Sequence, residues 1–308
     1  MEEAGDGDPE REHAEFGPAG ADIVMTCAES AAVDAIHCEK PMAGTWADCR
    51  EMVERCEASG TQLTFNHQRR FAKPFREAKT ILDEGEIGAL DRVEIGGPNL
   101  YDYGSHLFDI CGYYTDQADP EWVLGQVEYR ESNVQFGMHN ENQGLARWRY
   151  ENGVDGFAST GDDGIVDCQV RLVGASGVIE VGAEDGPPLR VCSDGRDWRT
   201  VDTGQDDIHE VSAGLPALAA DAVLERIPKL PDQYFEDPSF IDRAIEDVIE
   251  SLRTGSEPET AARNALQSTE IIFAIWESAR RTDRVDLPLE IDDNPLESMV
   301  EGGTVAPQ

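Results

Sequence analysis

The periodicity of this chain changes once along its length, and that change restricts the fold more than any other feature. Up to about residue 70, strand-like runs alternate with helical ones. Residues 19–32 read as a helix, 34–38 as a strand, 45–59 as a helix and 62–65 as the next strand. Thr45 or Gly44 is the expected N-cap of the second helix, Trp46, Cys49, Val53 and Cys56 its apolar face, and Gly60 its stop. Alternation of this kind builds a parallel sheet. After a helix over 74–84, strands follow one another: 91–95, 122–130, 144–150, 153–159, 167–173 and 177–181. Glu151-Asn152-Gly153 and residues 174–177 are tight-turn signals between them, so this second sheet is expected to be antiparallel. Further helices are expected over 102–114, 209–219, 239–254 and 260–282. The fold class is therefore an α/β portion followed by an α+β portion.

Charge excludes several function classes. The 308 residues carry 63 acidic and 25 basic side chains, a net charge of −38. The acids are interleaved with periodic apolar residues, which speaks for a folded, acid-coated surface rather than disorder. Such a surface suits a cytoplasm at very high salt, where the Debye length shrinks to about 3 Å or less and self-repulsion is muted. It argues against nucleic acid and anionic membrane as partners. Seven cysteines without a CxxC pair read as reduced structural thiols, and no Cys/His spacing calls for a metal.

Two stretches carry chemistry. Glu39-Lys40-Pro41 lies where the 34–38 strand runs into a helix, and the carboxyl ends of such strands are where parallel α/β sheets bind ligands. Lys40 is one of four lysines; it is either a donor to a substrate oxygen or an exposed loop lysine. Pro41 is a place for a cis bond that aims the lysine. The second stretch runs from Asp102 to Asp109. On a helix, Asp102 and His106 form an i, i+4 pair. The carboxylate would orient the imidazole and raise its pKa, as suits a general acid/base. The alternative is an exposed pair near a helix N-terminus, where aspartate is favoured anyway.

Taken together, these residues resemble the Gfo/Idh/MocA family of oxidoreductases (glucose–fructose oxidoreductase, inositol dehydrogenase and relatives). The likeness extends to Asn66-His67-Gln68-Arg69-Arg70-Phe71, to residues 84–88 and to residues 172–180, in family order. The resemblance implies a partial Rossmann-like NAD(P)-binding domain over 19–70. A C-terminal domain over 71–290 would follow, with an open, mostly antiparallel sheet and helices on one face. A flexible arm over 1–18 and a mobile tail over 291–308 would flank them. It implies a cytoplasmic dehydrogenase acting on a CH–OH group of a sugar, cyclitol or related polyol, with NAD or NADP as cofactor and a homo-oligomer built through the sheet. Lys40, His106 and Asp102 would be catalytic. Glu39, Lys40 and Pro41 would meet the cofactor, and Asp102, His106, Asn66 and Arg69 the substrate. The family's opening strand, Gly-rich turn and helix have no counterpart ahead of residue 39, so the expectation is an N-terminally truncated member. The alternative is a cofactor-free binding or assembly protein that retains the substrate domain.

Overall fold

The computed structural model describes residues 17–30, 33–135, 137–204 and 238–307. Helix α1 (Gly17–Ala28), strand β1 (Ala35–Cys38), helix α2 (Trp46–Ser59) and strand β2 (Gln62–Phe65) come first. β1 and β2 pair in parallel, Ala35 against Gln62 and Cys38 against Phe65, with α2 as the crossover that a parallel pair requires. The Thr45 side chain accepts from the Asp48 N–H at the start of α2, and Gly60 ends it at φ 74. The space around it is open, but a left-handed backbone is strained for a residue with a Cβ, which is why glycine takes the position.

A 3-10 turn (Gln68–Phe71) and α3 (Lys73–Asp83) lead into β3 (Leu90–Gly97), α4 (Gly104–Tyr114) and β4 (Pro120–Glu128). A short ribbon of β5 (Val134–Gln135) and β6 (Met138–His139) follows. Then come β7 (Gln143–Tyr150), β8 (Asp155–Gly161), β9 (Cys168–Gly174), β10 (Gly177–Ala183), β11 (Leu189–Ser193) and β12 (Arg199–Thr200). Helices α5 (Phe240–Thr254) and α6 (Ala262–Arg281), strand β13 (Val285–Asp286) and helix α7 (Pro295–Glu301) complete the described chain. The nine-stranded sheet has the order β12-β11-β10-β9-β3-β8-β7-β4-β13. Both expected hairpins form, β7 with β8 and β9 with β10. β3 enters between β8 and β9, parallel to β8 and antiparallel to β9. The sheet is thus mixed and mostly antiparallel.

α6 crosses β4, and Gly125 permits the close approach: a Cβ there would fall 2.7 Å from Ile275 Cγ2. Phe273, Ile275 and Trp276 of α6 are fully buried. Burial of each such side chain is worth about 1.5–3 kcal/mol. α4 packs against α6, with Tyr101 just ahead of it edge-on to Phe273 and Trp276. The opposite sheet face shows Trp122, Leu124 and Leu145, of which the leucines are exposed.

The tail over 291–308 is not the mobile segment expected. α7 buries Leu296 and Met299, and the Asn294 side chain caps it by accepting from Leu296 and Glu297 N–H. Ala47 N–H donates to the Asp292 carbonyl at 3.0 Å, and Arg280 pairs with Asp293. Seven residues with two apolar anchors carry too little period to read as a helix. The helix expected over 209–219 and residues 1–16 of the arm expected over 1–18 lie outside the described residues, while Gly17 and Pro18 open α1. All seven cysteines are free thiols. Among the described residues, Asp167, Cys168 and Glu180 could reach one ion, but Arg171 and Arg190 already pair with those carboxylates.

Candidate active site

The carboxyl ends of β1 and β2 converge on one place. The Asn66 N–H donates to the Cys38 carbonyl at 2.8 Å, and the Asn66 amide donates to Glu39 Oε1 at 2.8 Å. The two strand ends are thereby tied side by side. The Lys40–Pro41 bond is cis. Lys40 Nζ donates to Asp102 Oδ1 at 2.6 Å and to the Asp102 carbonyl at 3.0 Å. The stretches that the sequence placed at the centre of the chemistry do meet.

The segment that carries Asp102 is held from four sides. Asn99 Oδ1 accepts from Tyr103 N–H at 2.8 Å, and Tyr101 OH donates to the Ala43 carbonyl, just beyond Pro41. Asn140 Oδ1 accepts from Asp102 N–H at 3.3 Å. Glu141, fully buried, accepts from Leu100 N–H at 2.6 Å and from Trp276 Nε1 at 3.0 Å. Burial pushes its carboxyl up to about 7.

The expected Asp102–His106 pair does not form as such. α4 begins at Gly104, so Asp102 lies in the turn ahead of it and its carboxylate faces Lys40. Gly104 allows the tight turn, since a Cβ there would lie 2.6 Å from the Asn99 carbonyl oxygen. His106 is instead buried, its ring edge-on to His67 at 5.5 Å between centroids. Burial first, then competition with the His67 ring for a proton and the positive charges of Arg69 and Lys40, hold its pKa well below the usual 6.5, not above it. His67 is lowered as well, chiefly by burial. Among the described residues, Nδ1 of each ring has no hydrogen-bond partner. The site therefore holds a neutral imidazole beside a lysine whose charge is steadied by Asp102.

The remaining candidates take distinct places. Arg69 Nη1 donates to Tyr103 OH at 2.9 Å and to Gln169 Oε1 at 3.0 Å, with the guanidinium 4.4 Å from the Tyr103 ring centre. Arg70 turns inward and grips Asp109 through two nitrogens, both side chains buried. Asp109 thus serves the core. Asn140, Glu141 and Gln169 were not singled out from the sequence; no spacing ties them to residues 40 or 106.

No family model matches the chain. A D-apiose dehydrogenase of Paraburkholderia graminis is 26% identical over 306 residues, covering 92% of this chain and 74% of that protein. An inositol 2-dehydrogenase of Salmonella typhimurium is 39% identical over 96 residues, 30% of this chain and 26% of that protein. An inositol dehydrogenase homologue of Azotobacter vinelandii, solved with NADH and myo-inositol, superposes with a TM-score of 0.62 at 15% identity, covering 88% of this chain and 76% of that one. These relatives and neighbours agree with the expected likeness to the Gfo/Idh/MocA oxidoreductases.

The dinucleotide that this likeness implies finds a partial fit. Glu39, Lys40 and Pro41, at the tied ends of β1 and β2, are the residues that would meet the nicotinamide end. Among the described residues, the two-stranded sheet of β1 and β2 includes no strand leading through a Gly-rich turn into a helix, the feature that holds a pyrophosphate.

Proposed function

We propose that this chain works as an NAD(P)-dependent dehydrogenase on a CH–OH group of a sugar, cyclitol or related polyol. The observation that carries the reading is the Lys40–Asp102 contact beside a buried histidine kept neutral. His106 accepts the proton of the substrate hydroxyl, which requires the unprotonated ring that burial enforces. Lys40 donates to the same oxygen and steadies the charge that develops on it. Asp102 orients Lys40 and accepts from a neighbouring hydroxyl, while Asn66 keeps the β1 end in place through Glu39. The bound nicotinamide supplies the hydride acceptor, and the chain's part is to hold the carbinol in line.

A cofactor-free binding protein, the other reading, has less support. Binding a polyol needs hydrogen-bonding groups but no histidine held out of its charged form. We also propose that copies of this chain associate through the sheet face bearing Trp122, Leu124 and Leu145. Among the described residues no helix is long and apolar enough to cross a membrane.

The test is nicotinamide reduction by the full chain across a panel of polyols, with Lys40→Ala and His106→Ala as controls. Turnover that falls by roughly 10²-fold or more in both variants supports the assignment. Polyol binding with no turnover on NAD or NADP would overturn it. Light scattering at several concentrations checks the association.

A further inference from the structure

We propose that Arg69 is a carboxylate-recognition residue of this site, so that the substrate is a sugar acid (an aldonate or uronate) rather than a neutral polyol. The proposal rests on the dehydrogenase reading and narrows its substrate class.

Charge pairing points to it. Acidic side chains outnumber basic ones 63 to 25, so a carboxylate is easily supplied to any cation that the fold needs to neutralise. The other inward cations nearby each have one: Lys40 has Asp102, Arg70 has Asp109, and Arg76 has Glu259. Arg69 is half-buried, yet among the described residues it forms no ion pair. Its protein partners are neutral, a phenol oxygen and an amide oxygen. Leaving a partly desolvated charge without a counter-charge is unfavourable unless a ligand brings one.

Geometry agrees. Both hydrogen bonds leave from Nη1, and among the described residues Nε and Nη2 make none. The Nε–Nη2 edge of a guanidinium is a planar fork matched to the two oxygens of a carboxylate. Tyr103 and Gln169 hold the fork in one orientation, which lowers the ordering cost of recognition. Tyr103 adjoins Asp102, and the Arg69 charge is felt at His106, so a carboxylate on this fork belongs to the molecule being oxidised.

The experiment uses the full chain and matched substrates of equal stereochemistry: neutral sugars, the corresponding sugar acids, and sugar phosphates. Wild type is expected to favour the acid in kcat/KM. Arg69→Met should reduce the acid-to-neutral ratio roughly 10- to 100-fold, mostly through KM, and Arg69→Lys should restore part of it. An equal loss on acid and neutral substrates would mean that Arg69 is merely structural and overturns the proposal. So does a wild-type preference for the neutral or the phosphorylated compound. If nicotinamide is reduced with none of them, the dehydrogenase reading fails separately. Calorimetry with a sugar acid then decides: binding that weakens by the same factor in Arg69→Met supports the carboxylate site, and no binding by wild type rejects it.

Discussion

The ammonium of Lys40 lies 2.6 Å from Oδ1 of Asp102, across 62 residues of sequence. Neither residue can be placed by its own strand or helix alone. The cis Lys40–Pro41 bond sits on one side, and the segment pinned by Asn99, Tyr101 and Glu141 sits on the other. Asp102→Asn keeps the shape and removes the charge. It is expected to lower kcat/KM by roughly 10²-fold while leaving the thermal midpoint nearly unchanged, because the pair is partly solvated. Steady-state kinetics beside a melt checks this, and unaltered turnover counts against Asp102.

Turnover needs His106 neutral, and its folded pKa lies below 6.5. The acid limb of the kcat/KM profile should therefore fall below that ordinary value, with a level profile above it. His67→Phe keeps an aromatic edge but removes the second imidazole, whose protonation opposes that of His106, so the limb should move to higher pH. Burial persists, so the move is partial. A limb that stays put would mean that the two rings are not coupled. Stability carries the same sign. The unfolded chain takes up protons near 6.5 that the fold resists, so stability is lost as pH falls below 6.5.

Glu141 shifts the other way. Its ordinary value of 4.5 is raised to about 7 in the fold, so the folded chain holds a proton that the unfolded chain releases. The stabilisation is fully present below 4.5 and is lost as pH rises through about 7, a change on the order of 3 kcal/mol. Glu141→Gln cannot titrate. The difference in melting temperature, wild type minus variant, should fall between these pH values, and a flat difference would refute the assignment.

Arg70 and Asp109 form a buried pair, 2% and 1% exposed. Removing one partner strands the other charge, which costs about 3–5 kcal/mol. Asp109→Ala should lower stability by that amount in denaturant melts. A loss below about 1 kcal/mol would show that Arg70 reaches water or another acceptor.

Local chemistry made much of the fold legible. Thr45 and Gly60 bound α2, Ser239 caps α5 with Asp242 as its reciprocal partner, and Glu151-Asn152-Gly153 turns β7 into β8. These signals depend on neighbours in sequence. The tail shows the limit, since α7 is stabilised by packing against distant elements.

By itself the sequence determined the change from alternating to consecutive strands, the two stretches that bear the chemistry, and the family likeness. Each is a pattern of residue types at short spacing, and short spacing is what backbone geometry enforces. Only the tertiary structure decided that Asp102 serves Lys40 and not His106, and that His106 is uncharged against His67. It also decided that Glu141 holds the segment from beneath and that Arg69 meets no carboxylate among the described residues. Those outcomes depend on burial and on contacts between residues far apart in the chain, and a pKa or an ion pair is set by what surrounds a group in space.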